Sequence, residues 1–126
     1  MTPRYFTLAE ANDLLPQIKP LMAQLLELRA KTARLSQQLG DLLETPYLDF
    51  GGPIPNALAQ DFIVMETLLN QIRSHGCIVK NLEAGLVDFL AQIDGRDVYL
   101  CWRYGEESIT YYHELHTGFP GRRPIH

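Results

Sequence analysis

The sequence predicts an α+β fold, and three observations carry it: apolar residues at helical spacing between residues 17 and 43, the same spacing between residues 57 and 75, and strand-like alternation after Gly76. The expected architecture is a long antiparallel helical hairpin with a short N-terminal helix, followed by a three-stranded antiparallel β-meander and an irregular C-terminal arm. At 126 residues these make a single domain, with the hairpin in residues 7–76 and the meander and arm in residues 77–126.

Thr7-Leu8-Ala9-Glu10 has capping-box spacing: the Thr7 hydroxyl accepts from the Glu10 amide while the Glu10 carboxylate accepts from the Thr7 amide, so a helix starts here. Pro16 lacks the amide hydrogen that would close a helical bond, which limits this first helix to about residues 8–14 and lets Pro16 open the next one. Pro20 predicts an irregular turn or kink. From there Ile18, Leu21, Leu25, Leu28, Thr32, Leu35, Leu39 and Leu42 alternate three- and four-residue steps, a heptad seam that Met22, Leu26, Ala33 and Leu43 widen to the broader face of a bundle. Pro and Gly concentrate in residues 44–57, the expected connecting loop. Leu58, Phe62, Met65, Leu69 and Ile72 then repeat the pattern in a helix that ends at Gly76. At 1.5 Å per residue the two rods measure about 40 and 28 Å. The surplus must cover the sheet, the N-terminal helix or a second copy of the chain. Because two helices make half of a four-helix bundle, a homodimer through the hairpin is expected.

Residues 86–91, 97–103 and 108–115 are rich in Val, Ile, Leu, Tyr and Trp and read as strands, with Ile78-Val79 as a further short one. Asp94-Gly95 is the favoured pair for a tight hairpin turn, and Tyr104-Gly105-Glu106-Glu107 closes the second hairpin. Closing the first places Ala91 opposite Val98, Phe89 opposite Leu100 and Val87 opposite Trp102. Closing the second over residues 104–107 adds Ile109, Tyr111 and His113 to that side, the expected core face. Asp88, Leu90, Tyr99, Cys101, Arg103, Thr110, Tyr112 and Glu114 then share the other face.

Composition narrows the function classes. A net charge of −4 and a pI near 5.5 argue against electrostatic capture of nucleic acid. No apolar run approaches the ~20 residues that span a bilayer, and Met1-Thr2-Pro3-Arg4-Tyr5-Phe6 lacks a signal-peptide core, so a cytoplasmic protein with no membrane partner is expected. Cys77 and Cys101 are too few for a disulfide framework and read as reduced thiols.

Chemistry concentrates on the polar sheet face. Tyr99, Cys101 and Tyr112 are more apolar than a free surface tolerates, so something covers them. Asp88 and Arg103 lie diagonally across adjacent strands, close enough for an ion pair. His113-Glu114-Leu115-His116 is one residue short of the helical zinc motif and lies on a strand, where the two imidazoles point apart; only a turn starting at Leu115 brings them together as metal ligands. Cys101 needs a base to act as a nucleophile, and with His113 on the core face it is an inert thiol. Residues 118–126 form neither helix nor strand. Within this arm Arg122 and Arg123 bind an anion, or pair with Asp88, Glu114 or a partner subunit.

Tyr5-Phe6-Thr7-Leu8, Glu10-Ala11, Leu14-Leu15-Pro16, Gly85-Leu86-Val87-Asp88-Phe89, Tyr99-Leu100-Cys101-Trp102, Gly105-Glu106, His113-Glu114, Gly118-Phe119 and Gly121-Arg122 resemble an uncharacterised bacterial family, domain of unknown function 2203. The resemblance covers nearly the whole chain. This sequence departs from it in having Tyr112 before the histidine, where Trp is common, and Leu90 after Asp-Phe, where Pro is common. The resemblance implies a shared fold and a signature at Asp88, Cys101, Trp102, Gly105, Glu106, His113, Glu114, Gly118, Gly121 and Arg122, and no activity.

Two functional expectations result. The first is a non-enzymatic dimeric interaction or scaffold module, with Asp88, Tyr99, Cys101, Arg103, Glu106, Tyr112, Glu114 and Arg122 as binding or interface residues, an unidentified protein partner and no cofactor. The second is a small-molecule-binding protein or metal-assisted hydrolase on the same sheet face and arm, with His113 and His116 as metal ligands.

Overall fold

The computed structural model describes residues 4–43 and 53–126, in which two helices are followed by a five-stranded antiparallel sheet. Most of the connecting loop expected at residues 44–57 lies outside the described residues, and Pro53 already belongs to the second helix.

Helix α1 spans Leu8–Leu43 and starts at the capping box: the Thr7 amide donates to Glu10 Oε1 at 2.8 Å and the Glu10 amide donates to Thr7 Oγ1 at 3.1 Å. The Thr7 amide, the larger cause, and the Thr7 hydroxyl hold the Glu10 carboxyl below the usual carboxylate range. The separate helix over residues 8–14 does not form. Instead α1 runs unbroken through Pro16 and Pro20. Both prolines are exposed, four residues apart on one face, where water reaches the carbonyls they leave unbonded. On the opposite face Ala11, Leu15, Ile18, Met22 and Leu25 are buried. An interior proline costs about 3 kcal/mol, whereas burying one large aliphatic side chain contributes about 1.5–3 kcal/mol. Packing therefore carries the helix past both rings.

Helix α2 spans Pro53–Arg73 and packs along α1, with Leu68 and Ile72 in the same core as Ile18, Met22 and Leu25. The expected seam is corrected at one position. Phe62 is exposed, and Asp61 takes the inward place, paired with Lys31 at 3.3 Å. Steps from Leu58 through Asp61, Met65 and Leu68 to Ile72 keep one helical face inward, and Phe62 lies off it.

The sheet order is β1(Ile78–Asn81), β2(Leu86–Ile93), β3(Arg96–Arg103), β4(Tyr111–Glu114) and β5(Arg123–Pro124). The short strand at Ile78-Val79 is present as β1. The three-stranded meander becomes five strands because the C-terminal arm is ordered, making a 3-10 turn at Phe119–Gly121 and then pairing β5 with β4. The β2–β3 turn has positive φ at both Asp94 (51°) and Gly95 (76°), the conformation that matches strand twist. Val87, Phe89, Ala91, Val98, Leu100, Trp102 and Ile109 form the buried sheet face, and the N-terminal half of α1 lies on it. The surplus length of α1 thus covers the sheet. Phe6 completes this layer: its ring meets Phe89 edge-on at 5.2 Å and its amide donates to the Leu90 carbonyl at 2.7 Å.

Candidate metal centre

The first hairpin has the expected register, with Val87 opposite Trp102, Phe89 opposite Leu100 and Ala91 opposite Val98. The second is one residue longer than expected. Leu100 pairs with Tyr112 and Cys101 with Tyr111, and β4 begins only at Tyr111. Local bonds account for the longer loop. The Trp102 indole N–H donates to the Glu106 carbonyl at 2.9 Å, the Arg103 amide donates to Glu106 Oε1 at 2.6 Å, and the buried Ile109 is held through its amide by Asn12 Oδ1 at 2.7 Å. A one-residue shift moves every β4 side chain to the opposite face. Tyr112 packs against the core and Glu114 bonds Arg96 at 2.9 Å, so neither joins the polar face. His113 and Tyr111 take their places there.

That exchange assembles Asp88, Cys101 and His113, all 1–2% exposed, with one donor atom from each lying within 4.8 Å of the others. His113 Nε2 is 3.0 Å from Asp88 Oδ2, and Nδ1 is 2.7 Å from the Glu114 carbonyl. A carbonyl only accepts, so Nδ1 carries a hydrogen and one further proton lies between Nε2 and Oδ2. The pair is an imidazolium with a carboxylate or an imidazole with a carboxylic acid. Burial pushes the Asp88 carboxyl above its ordinary value, opposed by His113 and less strongly by Cys101 and Lys80. Asp88 Oδ1 is buried and has no hydrogen-bond partner among the described residues.

The Cys101 thiol is pushed up to about 12, first by burial and then by the Asp88 charge. It is a protonated thiol, as expected, although the histidine is on its own face after all. Both ring nitrogens of His113 are engaged, by Asp88 and by the Glu114 carbonyl, so this imidazole is not free to activate Cys101 as a nucleophile. Cys77 is buried elsewhere and rises to about 11, again by burial first, with its thiol donating to the Ile72 carbonyl.

The remaining candidates are distributed around this cluster. Tyr99 lies opposite His113, with ring centroids 5.6 Å apart, and carries the Lys80 ammonium 4.8 Å above its ring. Arg103 does not pair with Asp88; it is exposed and its guanidinium lies over Phe119 at 5.6 Å. Arg122 pairs with neither Asp88 nor Glu114. Its Nη2 donates to Glu106 Oε1 at 2.8 Å, to Glu106 Oε2 at 2.7 Å and to the Cys101 carbonyl at 3.4 Å, and the guanidinium lies over Tyr111 and Phe119. Glu106 and Arg122 therefore fasten the arm to β3. Gly121 permits this path, since a side chain there would meet Thr117 at 2.5 Å.

The turn that would reunite the two histidines does start at Leu115. His116 lines the same pocket as Asp88, Cys101 and His113, a space of about 280 Å3 walled also by Lys80, Leu86, Leu115, Thr117, Gly118 and Phe119. Sequence reasoning missed the Asp88–His113 pair and the rim residue Lys80. The one available signal was Ile109, whose apolar side chain in a polar loop marks a residue drawn into the core.

In chemical terms the cluster offers nitrogen, oxygen and sulfur donors, the mixture that zinc accepts. The His113 Nδ1–H···O=C bond is the kind of outer contact that orients metal-binding imidazoles, and it leaves Nε2 facing Asp88 within the cluster. No curated protein and no solved structure matches the chain. A family model described as "Uncharacterized conserved protein (DUF2203)" matches residues 4–125, and the chain belongs to that family.

Proposed function

We propose that this chain is a metal-binding protein whose centre is Asp88, Cys101 and His113, with a divalent transition ion, zinc by donor type, and an open position toward the pocket that holds His116. The observation that supports it most is the buried trio itself: three ligand types within 4.8 Å, one of them a carboxylate with an unpaired buried oxygen. Leaving such an atom unpaired costs about 1–3 kcal/mol, which an ion relieves. An ion held by these three residues with its fourth position open would polarise a water or substrate oxygen, which favours the metal-assisted small-molecule reading over a scaffold. Cobalt(II) titration tests the proposal. A thiolate-to-cobalt absorption band at one equivalent is expected, lost in Cys101→Ser; absence of the band in the folded parent protein contradicts it.

A homodimer is a second element of the proposal, supported by consecutive exposed residues Phe62, Ile63 and Val64, at 56%, 65% and 49%. These three positions spread over about 200° of the helix circumference, and a second copy would cover part of that exposed apolar surface. The proposal also keeps the expected bacterial cytoplasm, where the free Cys77 and Cys101 stay reduced. A mass measurement over a range of concentrations tests the dimer, and a constant monomer contradicts it.

A further inference from the structure

We propose that the open position of this centre takes an oxyanion, a carboxylate or phosphate group of a small molecule, held between the ion and the Lys80 ammonium. The inference rests on the metal reading and adds the ligand class. Charge is the first argument. Among the described residues Asp88 is the sole carboxylate lining the pocket; Leu86, Leu115, Thr117, Gly118 and Phe119 are neutral, and His116 adds an imidazole. A divalent ion balanced by the Asp88 carboxylate and a Cys101 thiolate leaves the centre neutral, and Lys80 then makes the pocket positive.

Geometry is the second argument. Lys80 is held over the Tyr99 ring at 4.8 Å, and no carboxylate among the described residues is within ion-pair distance of it. Lys80 thus lines the pocket with no carboxylate in direct contact, although its charge is felt by Asp88. The Tyr99 ring and His113 lie on adjacent strands, so the residue that seats Lys80 directly flanks a metal ligand. A space of about 280 Å3 admits a small oxyanion with a short substituent. An oxygen on the ion and a second oxygen facing Lys80 would give the anion two opposed cationic contacts in a partly enclosed site.

The cobalt-loaded full chain supplies the test, with acetate and inorganic phosphate as separate probes. Either anion is expected to shift the cobalt ligand-field bands saturably, and Lys80→Met is expected to weaken that response about tenfold while leaving the thiolate band unchanged. Bands indifferent to both anions overturn the inference, as does an anion response unaffected by Lys80→Met. Failure of the metal reading looks different, because the thiolate band itself is then missing before any anion is added.

Discussion

His113 and Asp88 share a single proton in a buried pair: Nε2 and Oδ2 are 3.0 Å apart, and the opposite ring nitrogen is committed to the Glu114 carbonyl. Cys101 beside them holds its own proton, its thiol raised to about 12. Metal binding must expel both, since the ion needs the imidazole lone pair, the carboxylate and the thiolate. Two protons per ion are therefore expected on zinc addition in weakly buffered solution near pH 7. The apparent affinity should rise about a hundredfold per pH unit while both protons are held. Release of one proton or none, measured by a pH indicator, contradicts this ligand set.

The arm that walls the pocket depends on Arg122. Removing it leaves Glu106 without its cation, the Tyr111 ring without its guanidinium and the Phe119 ring with only the more distant Arg103. Arg122→Ala should destabilise the fold by about 1–3 kcal/mol, with faster amide exchange concentrated in residues 115–125. Lys at this position should rescue little, because an ammonium cannot stack on two rings as a guanidinium plane does. Exchange rates equal to those of the parent would show that the latch does not hold the arm.

The capping box gives a pH signature. Glu10 titrates below its ordinary value in the folded chain, so its contribution is present above the unfolded value and is lost as pH falls through the folded one. Glu10→Gln should lower the melting temperature at neutral pH and narrow its gap to the parent as the solution is acidified. A gap that is constant or widens on acidification excludes the Thr7–Glu10 cap.

Core and surface substitutions on the two helices should separate. Ile18→Ala empties a fully buried site between α1 and the sheet and is expected to cost about 2–5 kcal/mol in a denaturant titration. Phe62→Ser lies outside that core and should change monomer stability by less than about 0.5 kcal/mol. If a dimer forms through α2, Phe62→Ser together with Ile63→Ser should weaken it, read as a fall in mass at fixed concentration. A dimer of unchanged affinity would remove this patch from the interface.

Much of this architecture is legible in the sequence, because its causes are local. Thr7 and Glu10 announce a helix start through their spacing, and Asp94-Gly95 determines the first hairpin's register and with it the core residues Val87, Phe89, Val98 and Leu100. The rest depends on contacts distant in sequence. The helix crosses Pro16 and Pro20 because Leu15, Ile18 and Met22 are packed on a sheet about 70 residues later in the chain. The site was obscured by one residue of loop length. Asn12 on α1 fixes Ile109, the second hairpin lengthens, and His113 turns from the core side to Asp88. Asp88, Cys101 and the Leu115 turn are legible as separate signals. Their convergence is not, since register depends on a helix elsewhere in the chain.

Zinc stoichiometry is the most direct measurement of the central claim. Native mass spectrometry of the apoprotein with added zinc should show saturation at one ion per chain. Cys101→Ser and His113→Ala should each fail to retain the ion, with circular dichroism confirming that both variants remain folded. Folded parent protein that retains no zinc above a nonspecific background, or variants that bind it as well as the parent, would contradict a metal centre at Asp88, Cys101 and His113.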